Sequence, residues 1–333
     1  MAALDDLLAW MDKGGQLGIY DATNSTRSRR ELVGRALEQA GVEVLFLETV
    51  CNDEALVEAN IRESKLSNPD YDGVQPDEAV ADFRARIGHY KEAYEPLDDD
   101  SQSFIRVIDI GDRIELNRIR GFRMGRIVNF VMNLHIAPRP IWLSRHGESL
   151  ANVAGTLGGD PDLSSDGYRY AQSLREFVDL RFPGSELSVW TSTLRRTIHT
   201  ADALDRPMVQ LRALDEISAG VCDGLTYSQV ASRYPEEFAA RADDKLRYRY
   251  PRGESYEDVI DRLDPLIIEL ERQRSPVLVV AHQAVLRALY GYFVGRSREE
   301  VPHLDVSLHT VIELTPKAYG CDERRFVLSP GAR

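Results

Sequence analysis

Three segments of the sequence carry a short apolar run onto a cation or an imidazole. Ile141-Trp142-Leu143 runs into Arg145-His146-Gly147-Glu148, and Val189-Trp190 runs into Thr191-Ser192-Thr193-Leu194-Arg195-Arg196-Thr197. Pro276 to Ala281, apolar and β-branched, ends on His282. A single Arg-His pair at a strand end is ordinarily a solvated pair. Three strand ends delivering Arg145, His146, Arg195 or Arg196, and His282 make an anion site that contains a nucleophile. An imidazole that attacks a phosphate must be unprotonated and must still approach a dianion. Flanking guanidiniums would hold phosphate oxygens by charge-assisted bonds and lower the imidazole pKa by like-charge repulsion. His146 would then carry the phosphoryl group as phosphohistidine, splitting one hard displacement into two. Groups aimed at the equatorial oxygens supply most of the catalysis in such transfers, and His282 and Asn152 are the further donors. A metal held by His146 and His282 is the weaker reading, because arginines stand beside both.

The elements that must position these groups follow from the pattern. In open parallel sheets, ligands collect outside the carboxyl ends of the strands, where all three segments terminate. After the second strand a helical pattern runs through Leu204. Ser192 or Thr193 is placed to cap that helix, with an arginine near its positive end. Arg241, Lys245 and Arg249 recur every four residues, so on a helix they share a face. Tyr227 lies upstream, and three cations in register suit a second phosphate. Gly14 to Arg27 reads as a strand, an acidic strand end at Asp21 and a turn into a helix through about Ala40, followed by a strand from Val42 to Glu48. A helical pattern from Ile114 to Met132 leads to Pro138-Arg139-Pro140, the expected joint between two domains.

Arg-His-Gly-Glu at 145–148, Thr-Ser-x-x-x-Arg-Thr at 191–197 and a late strand ending in His282 resemble the histidine phosphatases. Ile217 to Tyr227, Arg241 to Tyr256 and Leu308-His309-Thr310 to Tyr319-Gly320-Cys321 narrow the resemblance. They are similar to the bisphosphatase half of the 6-phosphofructo-2-kinase/fructose-2,6-bisphosphatase family, over Pro140 to Cys321. The resemblance implies an α/β protein: a C-terminal three-layer α/β sandwich of histidine-phosphatase type (138–333), preceded by a partial P-loop-kinase-like α/β domain (1–137). It implies His146, Glu216 and His282 as the catalytic set, and Arg145, Asn152 and Arg196 on the transferred phosphate. Arg195 is then a solvent-facing helix charge. A sugar alkoxide leaves poorly, so an acid must protonate it. Glu216 matches the family's acid; by sequence alone Asp215 and Glu148 rival it, although Glu148 better suits bracing the Arg-His-Gly turn and Asp215 better suits solvent. Tyr227, Arg241, Lys245 and Arg249 match contacts to the 6-phosphate of fructose 2,6-bisphosphate, and no metal or cofactor is implied for that half.

Upstream, Asp21 matches an acidic residue near magnesium, Asn60 and Lys65 match nucleotide contacts, and Arg86 and Tyr90 match positions at fructose 6-phosphate. A kinase of this kind grips ATP with Gly-x-x-x-x-Gly-Lys-Ser/Thr, and that motif does not occur in the sequence. The chain as it stands is therefore expected not to phosphorylate fructose 6-phosphate; Mg-ATP is expected only with a complete kinase domain. A bifunctional enzyme represented by its later part is one alternative. A regulatory or scaffold subunit is another, weakened by the complete catalytic set.

Length and composition agree. At 333 residues two domains are expected, and 43% hydrophobic with 29% charged residues describes a soluble globular protein. A formal charge of −13 argues against nucleic acid or an anionic membrane as partner, so cations for an anionic substrate must be concentrated locally. Cys51, Cys222 and Cys321 lack metal-ligand spacing and fit reduced cytosolic thiols. His89, His135, His199, His303 and His309 read as structural or surface residues. No signal-peptide pattern or membrane-length apolar stretch is present, which points to the cytoplasm, and the family pattern suggests a homodimer.

Overall fold

The computed structural model describes residues 2–62, 74–109, 113–133, 139–184, 187–317 and 320–328. The chain forms two compact units, Met1–His135 and Ile136–Arg333.

The first unit has helices α1 (Ala2–Asp12) and α2 (Arg27–Gln39), strand β1 (Phe46–Val50), helices α3 (Glu54–Asn60) and α4 (Pro76–Glu92), strands β2 (Phe104–Ile108) and β3 (Arg113–Asn117), and helix α5 (Gly121–Asn133). Thr26 caps α2, its hydroxyl accepting from Arg29 N. The sheet order is β1-β2-β3, with β1 parallel and β3 antiparallel to β2. Three expectations fail here. Residues 15–20 have no regular structure, and Leu17 and Ile19 are exposed. The strand expected from Val42 starts at Phe46. Ile114 to Asn117 is strand rather than helix: Ile114-Glu115-Leu116 alternates with period two and lies against β2, where Arg106 pairs with Glu115. Gly121, at φ +73°, stands at the start of α5, after the strand has ended.

In the second unit, β4 (Ile141–Arg145), α6 (Leu150–Ala154), α7 (Ser165–Arg181), β5 (Ser188–Thr191), α8 (Arg195–Asp202) and β6 (Met208–Gln210) come first. Helices α9 (Tyr227–Arg233), α10 (Pro235–Asp243) and α11 (Tyr256–Arg272) follow, then β7 (Val277–Ala281), α12 (Gln283–Phe293), β8 (Thr310–Lys317) and β9 (Gly320–Val327). The sheet order is β6-β5-β7-β4-β8-β9. The first four strands are parallel, β8 is antiparallel to β4, and β9 is antiparallel to β8.

Successive side chains on a strand face opposite ways, and both faces of this sheet are covered. Ile141, Leu143, Val277 and Val279 join Leu263, Leu270, Val285 and Leu289 of α11 and α12 in one core. Trp142, Leu278 and Val280 join Tyr170, Leu174 and Val178 of α7 in the other. The unit is thus three layers, helix on sheet on helix. Central strands buried on both faces need continuous apolar runs, which is why β4 and β7 stand out in the sequence. Arg139, buried at the start of the unit, ties it to α11 by donating to Leu270 O (3.0 Å) and to the Glu271 carboxylate (3.1 Å).

This topology brings the three segments together. β7 lies between β5 and β4, with Arg145 opposite Ala281 and Thr191 opposite Val280. The turn after β4 is held from below by α7: Ser164, its N-cap, donates to Glu148 Oε1 at 2.6 Å. Glu148 therefore braces the turn, as expected. The approach is close enough that a Cβ on Gly167 would lie 2.1 Å from Glu148 O, and one on Gly147 2.4 Å from Gly167 O. Backbone cannot yield as a flexible side chain does. Gly167→Ala is expected to lower stability by about 1–3 kcal/mol and to reduce activity by displacing His146. Gly184→Ala, which meets nothing within 4 Å, should do neither; thermal melts and turnover of the two variants check this.

Candidate active site

His146 follows β4 directly and is buried. Its Nδ1–H donates to Gly147 O at 2.7 Å, which leaves the Nε2 lone pair as the nucleophilic end. Burial, reinforced by the Arg196 and Arg145 guanidiniums, pushes its pKa down to about 3. The imidazole is therefore neutral at physiological pH. Arg145 is half-buried and makes a hydrogen bond to Val306 O (3.2 Å), while its Nε is buried with no partner among the described residues. A guanidinium with a buried Nε and no carboxylate in ion-pair contact among the described residues has donors that an anion would satisfy.

The second arginine comes from α8. Arg196 is buried and Arg195 exposed. Arg195 pairs with Asp160 and Asp162 outside the cavity, as expected of a solvent-facing charge. Ser192 and Thr193 do not cap α8, whose N-cap is Leu194. They act one step earlier: Ser192 Oγ accepts from Leu194 N (3.1 Å), and Thr193 donates from N and Oγ1 to Asp215. Asp215, expected to face solvent, is half-buried and holds this turn.

His282 caps the start of α12 and is fully buried. Arg196 Nε–H donates to its Nδ1 at 3.2 Å, so its Nε2–H donates to Ser192 Oγ at 2.8 Å. Ser192 Oγ lies 2.7 Å from Thr197 Oγ1, which donates to Leu194 O. The chain fixes one neutral tautomer, and burial with Arg196 alongside keeps the His282 pKa well below its ordinary value. His282 is expected as a further donor to the phosphate oxygens; in this structure its Nδ1 accepts from Arg196 and its Nε2 bonds Ser192 Oγ, so it aims Arg196. Asn152 is held in the capping box of α6, its Oδ1 accepting from Ser149 N and Oγ. That orientation leaves the amide Nδ2 to donate.

Arg145, His146, Asn152 and Arg196 line a cavity of about 440 Å³, with His282 behind Arg196 and not among the lining residues. Glu216 lines it too: its Oε1 accepts from Ile217 N (2.9 Å) and Ala284 N (3.2 Å), leaving Oε2 for proton transfer. A second cluster carries Tyr227, Arg241 and Lys245. Arg241 stacks on Tyr227, 5.3 Å from ring centroid. Lys245 donates to Pro302 O at 2.7 Å, and burial, with Arg287 and Arg241 nearby, lowers its pKa to about 8. Helix α10 ends at Asp243, so the shared helical face expected for Arg241, Lys245 and Arg249 does not exist. Arg249 lies among none of the lining residues and pairs with Asp258 on α11.

Tyr256, Gln283 and Arg287 also line the cavity and escaped the sequence reading. Gln283 and Arg287 share the first turns of α12 at i and i+4, directly after His282, a spacing that was readable. In the first unit, Asp21 lies in the loop before α2, and Asn60 ends α3. Arg86 and Tyr90 are one turn apart on α4, with Arg86 over the Phe83 ring. Lys65 lies outside the described residues.

A nucleophilic imidazole, two flanking guanidiniums and a facing carboxylate at the carboxyl edge of a three-layer sheet define a histidine phosphatase, and residues 141–328 match the Histidine phosphatase superfamily (branch 1). Residues 1–138 match the 6-phosphofructo-2-kinase family. A 6-phosphofructo-2-kinase/fructose-2,6-bisphosphatase of Gallus gallus is 51% identical over 333 residues, covering 99% of this chain and 70% of that protein. One of Arabidopsis thaliana is 51% identical, covering 98% of this chain and 44% of that protein. The chain belongs to the 6-phosphofructo-2-kinase/fructose-2,6-bisphosphatase family, and spans well under the full length of its Arabidopsis relative. The solved alpha-ribazole phosphatase of Shigella flexneri superposes with a TM-score of 0.51 at 27% identity, over 57% of this chain and 96% of that one. Among the described residues, no helix is long and apolar enough to cross a membrane.

The depressed histidine pKa values carry a stability consequence. Between about 3 and the ordinary 6.5, His146 is neutral in the fold but protonated in the unfolded chain. Folding stability is therefore expected to fall as pH drops below 6.5, by up to about 1.4 kcal/mol per pH unit for each such histidine. Denaturant unfolding at pH 7 and pH 5 checks this, with His282→Gln flattening part of the slope.

Proposed function

We propose that the second unit hydrolyses fructose 2,6-bisphosphate to fructose 6-phosphate and phosphate, and so tunes the balance of glycolysis and gluconeogenesis. The observation that carries the reading is the doubled cation set. Among the described residues, five cationic side chains, Arg145, Arg196, Arg241, Lys245 and Arg287, line one cavity with a single carboxylate, Glu216, in a chain of net charge −13. One phosphate needs two of these cations, and the remainder suit a second phosphate on the same small molecule.

In the proposed reaction the 2-phosphate lies on Arg145, Arg196 and the Asn152 amide. His146 Nε2 forms a bond to phosphorus as the bond to the sugar oxygen breaks. Glu216 gives its proton to that oxygen, so fructose 6-phosphate departs neutral at the 2-position. The carboxylate then takes a proton from water as the water attacks phosphohistidine, releasing phosphate and restoring both side chains. Charge development on the equatorial oxygens is met by fixed guanidiniums that need no reorganisation. These steps use protein groups alone, with no cofactor or metal. Tyr227, Arg241 and Lys245 hold the 6-phosphate, with Arg287 and Tyr256 beside them. A cytosolic location and a homodimer complete the proposal. The relatives' names also carry a kinase; its Gly-x-x-x-x-Gly-Lys-Ser/Thr loop does not occur among the 333 residues, and the proposal is confined to the hydrolase.

Phosphate release from fructose 2,6-bisphosphate, measured beside fructose 1,6-bisphosphate and 3-phosphoglycerate, tests the substrate. Strong preference for the first supports it, and equal or absent turnover refutes it. Lys245→Ala is expected to raise KM about ten- to a hundredfold, the loss of a charge-assisted contact, with kcat little changed. For the unaltered protein kcat/KM should fall above about pH 8 as Lys245 loses its proton; Lys245→Arg should remove that limb.

A further inference from the structure

The loop that carries Glu216 is held by two side chains that do not line the cavity. Upstream of the acid, Arg262 of α11 donates from Nη1 to Ala213 O and from Nη2 to Asp215 O, the latter at 2.6 Å. Downstream, Glu254 Oε2 accepts from Ser218 N at 2.9 Å, and Glu254 N donates to Ser218 O at 3.0 Å. The two clamping residues are joined: Arg262 Nε donates to Glu254 Oε1 at 2.9 Å. Both are largely shielded, with side-chain exposures of 23% and 26%. The segment around Glu254 also lies hard against the loop. A Cβ on Gly253 would come 2.3 Å from Ser218 O, and Val221 N donates to Pro251 O at 3.0 Å. Helix α11 is fixed at its start by the capping box of Ser255 and Asp258.

We infer that Arg262 and Glu254 are positioning residues for the general acid, an ion pair straddling Glu216 that sets where its carboxyl meets the leaving oxygen. Proton transfer is steep in distance and angle, and the acid's own anchors, Ile217 N and Ala284 N, fix only one oxygen. Without the two side chains the backbone on either side of Glu216 loses three hydrogen bonds: those accepted by Ala213 O and Asp215 O, and the one Ser218 N donates to the Glu254 carboxylate. Arg262 serves three acceptor groups with one planar fork, which an ammonium cannot reproduce.

The inference rests on the proposed hydrolysis for its substrate, and its test uses the leaving group. A sugar alkoxide needs protonation; p-nitrophenolate does not. First-turnover rates are measured by rapid quench with fructose 2,6-bisphosphate and with p-nitrophenyl phosphate, for the unaltered protein, Arg262→Gln, Arg262→Lys, Glu254→Gln and Glu216→Gln. Arg262→Gln is expected to slow fructose 6-phosphate formation about 30- to 100-fold and the p-nitrophenolate burst no more than about twofold, with KM nearly unchanged. Arg262→Lys should recover part of the loss. Glu254→Gln should share the selectivity. Added to Glu216→Gln, the Arg262 change should cost nothing more. Equal loss with both substrates, or loss with neither, overturns the inference. Should the unaltered protein leave fructose 2,6-bisphosphate intact, the substrate reading fails, and the clamp is read with glycerol 2-phosphate, whose leaving group is also an alkoxide.

Discussion

A neutral, buried imidazole flanked by two guanidiniums is the constraint from which the rest of the site follows. Arg145, whose buried Nε has no partner among the described residues, gains from an anion to hold, and both arginines make protonation of His146 harder. The same two charges thus prepare the nucleophile and receive its target. That arrangement needs water excluded, since solvent would screen the repulsion that keeps the imidazole neutral. It also needs rigid supports, because a guanidinium that could turn outward would do so. The apolar layers on both faces of the sheet supply the first condition, and hydrogen-bonded carbonyls at Val306 and Gly159 supply much of the second.

Tautomer control extends the same logic. Gly147 O takes the Nδ1 proton of His146, and the Ser192–Thr197 hydroxyls take the Nε2 proton of His282, so each ring presents a defined lone pair. On His146 the lone pair faces reaction. On His282 it receives Arg196. Two histidines of like burial therefore differ in role through their hydrogen-bond partners alone.

Much of this was legible in the sequence, for a physical reason. Strands buried on both faces must be continuously apolar, so β4 and β7 announced themselves, and the residues just past them fell at the edge where ligands bind. The expected folding of both halves as α/β holds, and Arg196 rather than Arg195 lines the cavity. What failed depended on tertiary context. The four-residue spacing of Arg241, Lys245 and Arg249 is helical, yet the helix ends at Asp243, so Arg249 turns to Asp258 instead. Ile114 to Asn117 looks helical beside the following run but is drawn into a sheet by pairing with β2. Tyr256 carries no local signature, and only the assembled cavity reveals it.

The central claim is that His146 attacks through Nε2 while Nδ1 stays bonded to Gly147 O. Rapid acid-free quenching after mixing with fructose 2,6-bisphosphate labelled at the 2-phosphate, followed by digestion and separation of the two phosphohistidine isomers, tests it directly. The account predicts label on Nε2 of His146, absent in His146→Ala. Label on Nδ1, or turnover by the folded protein with no phosphohistidine at all, would contradict it.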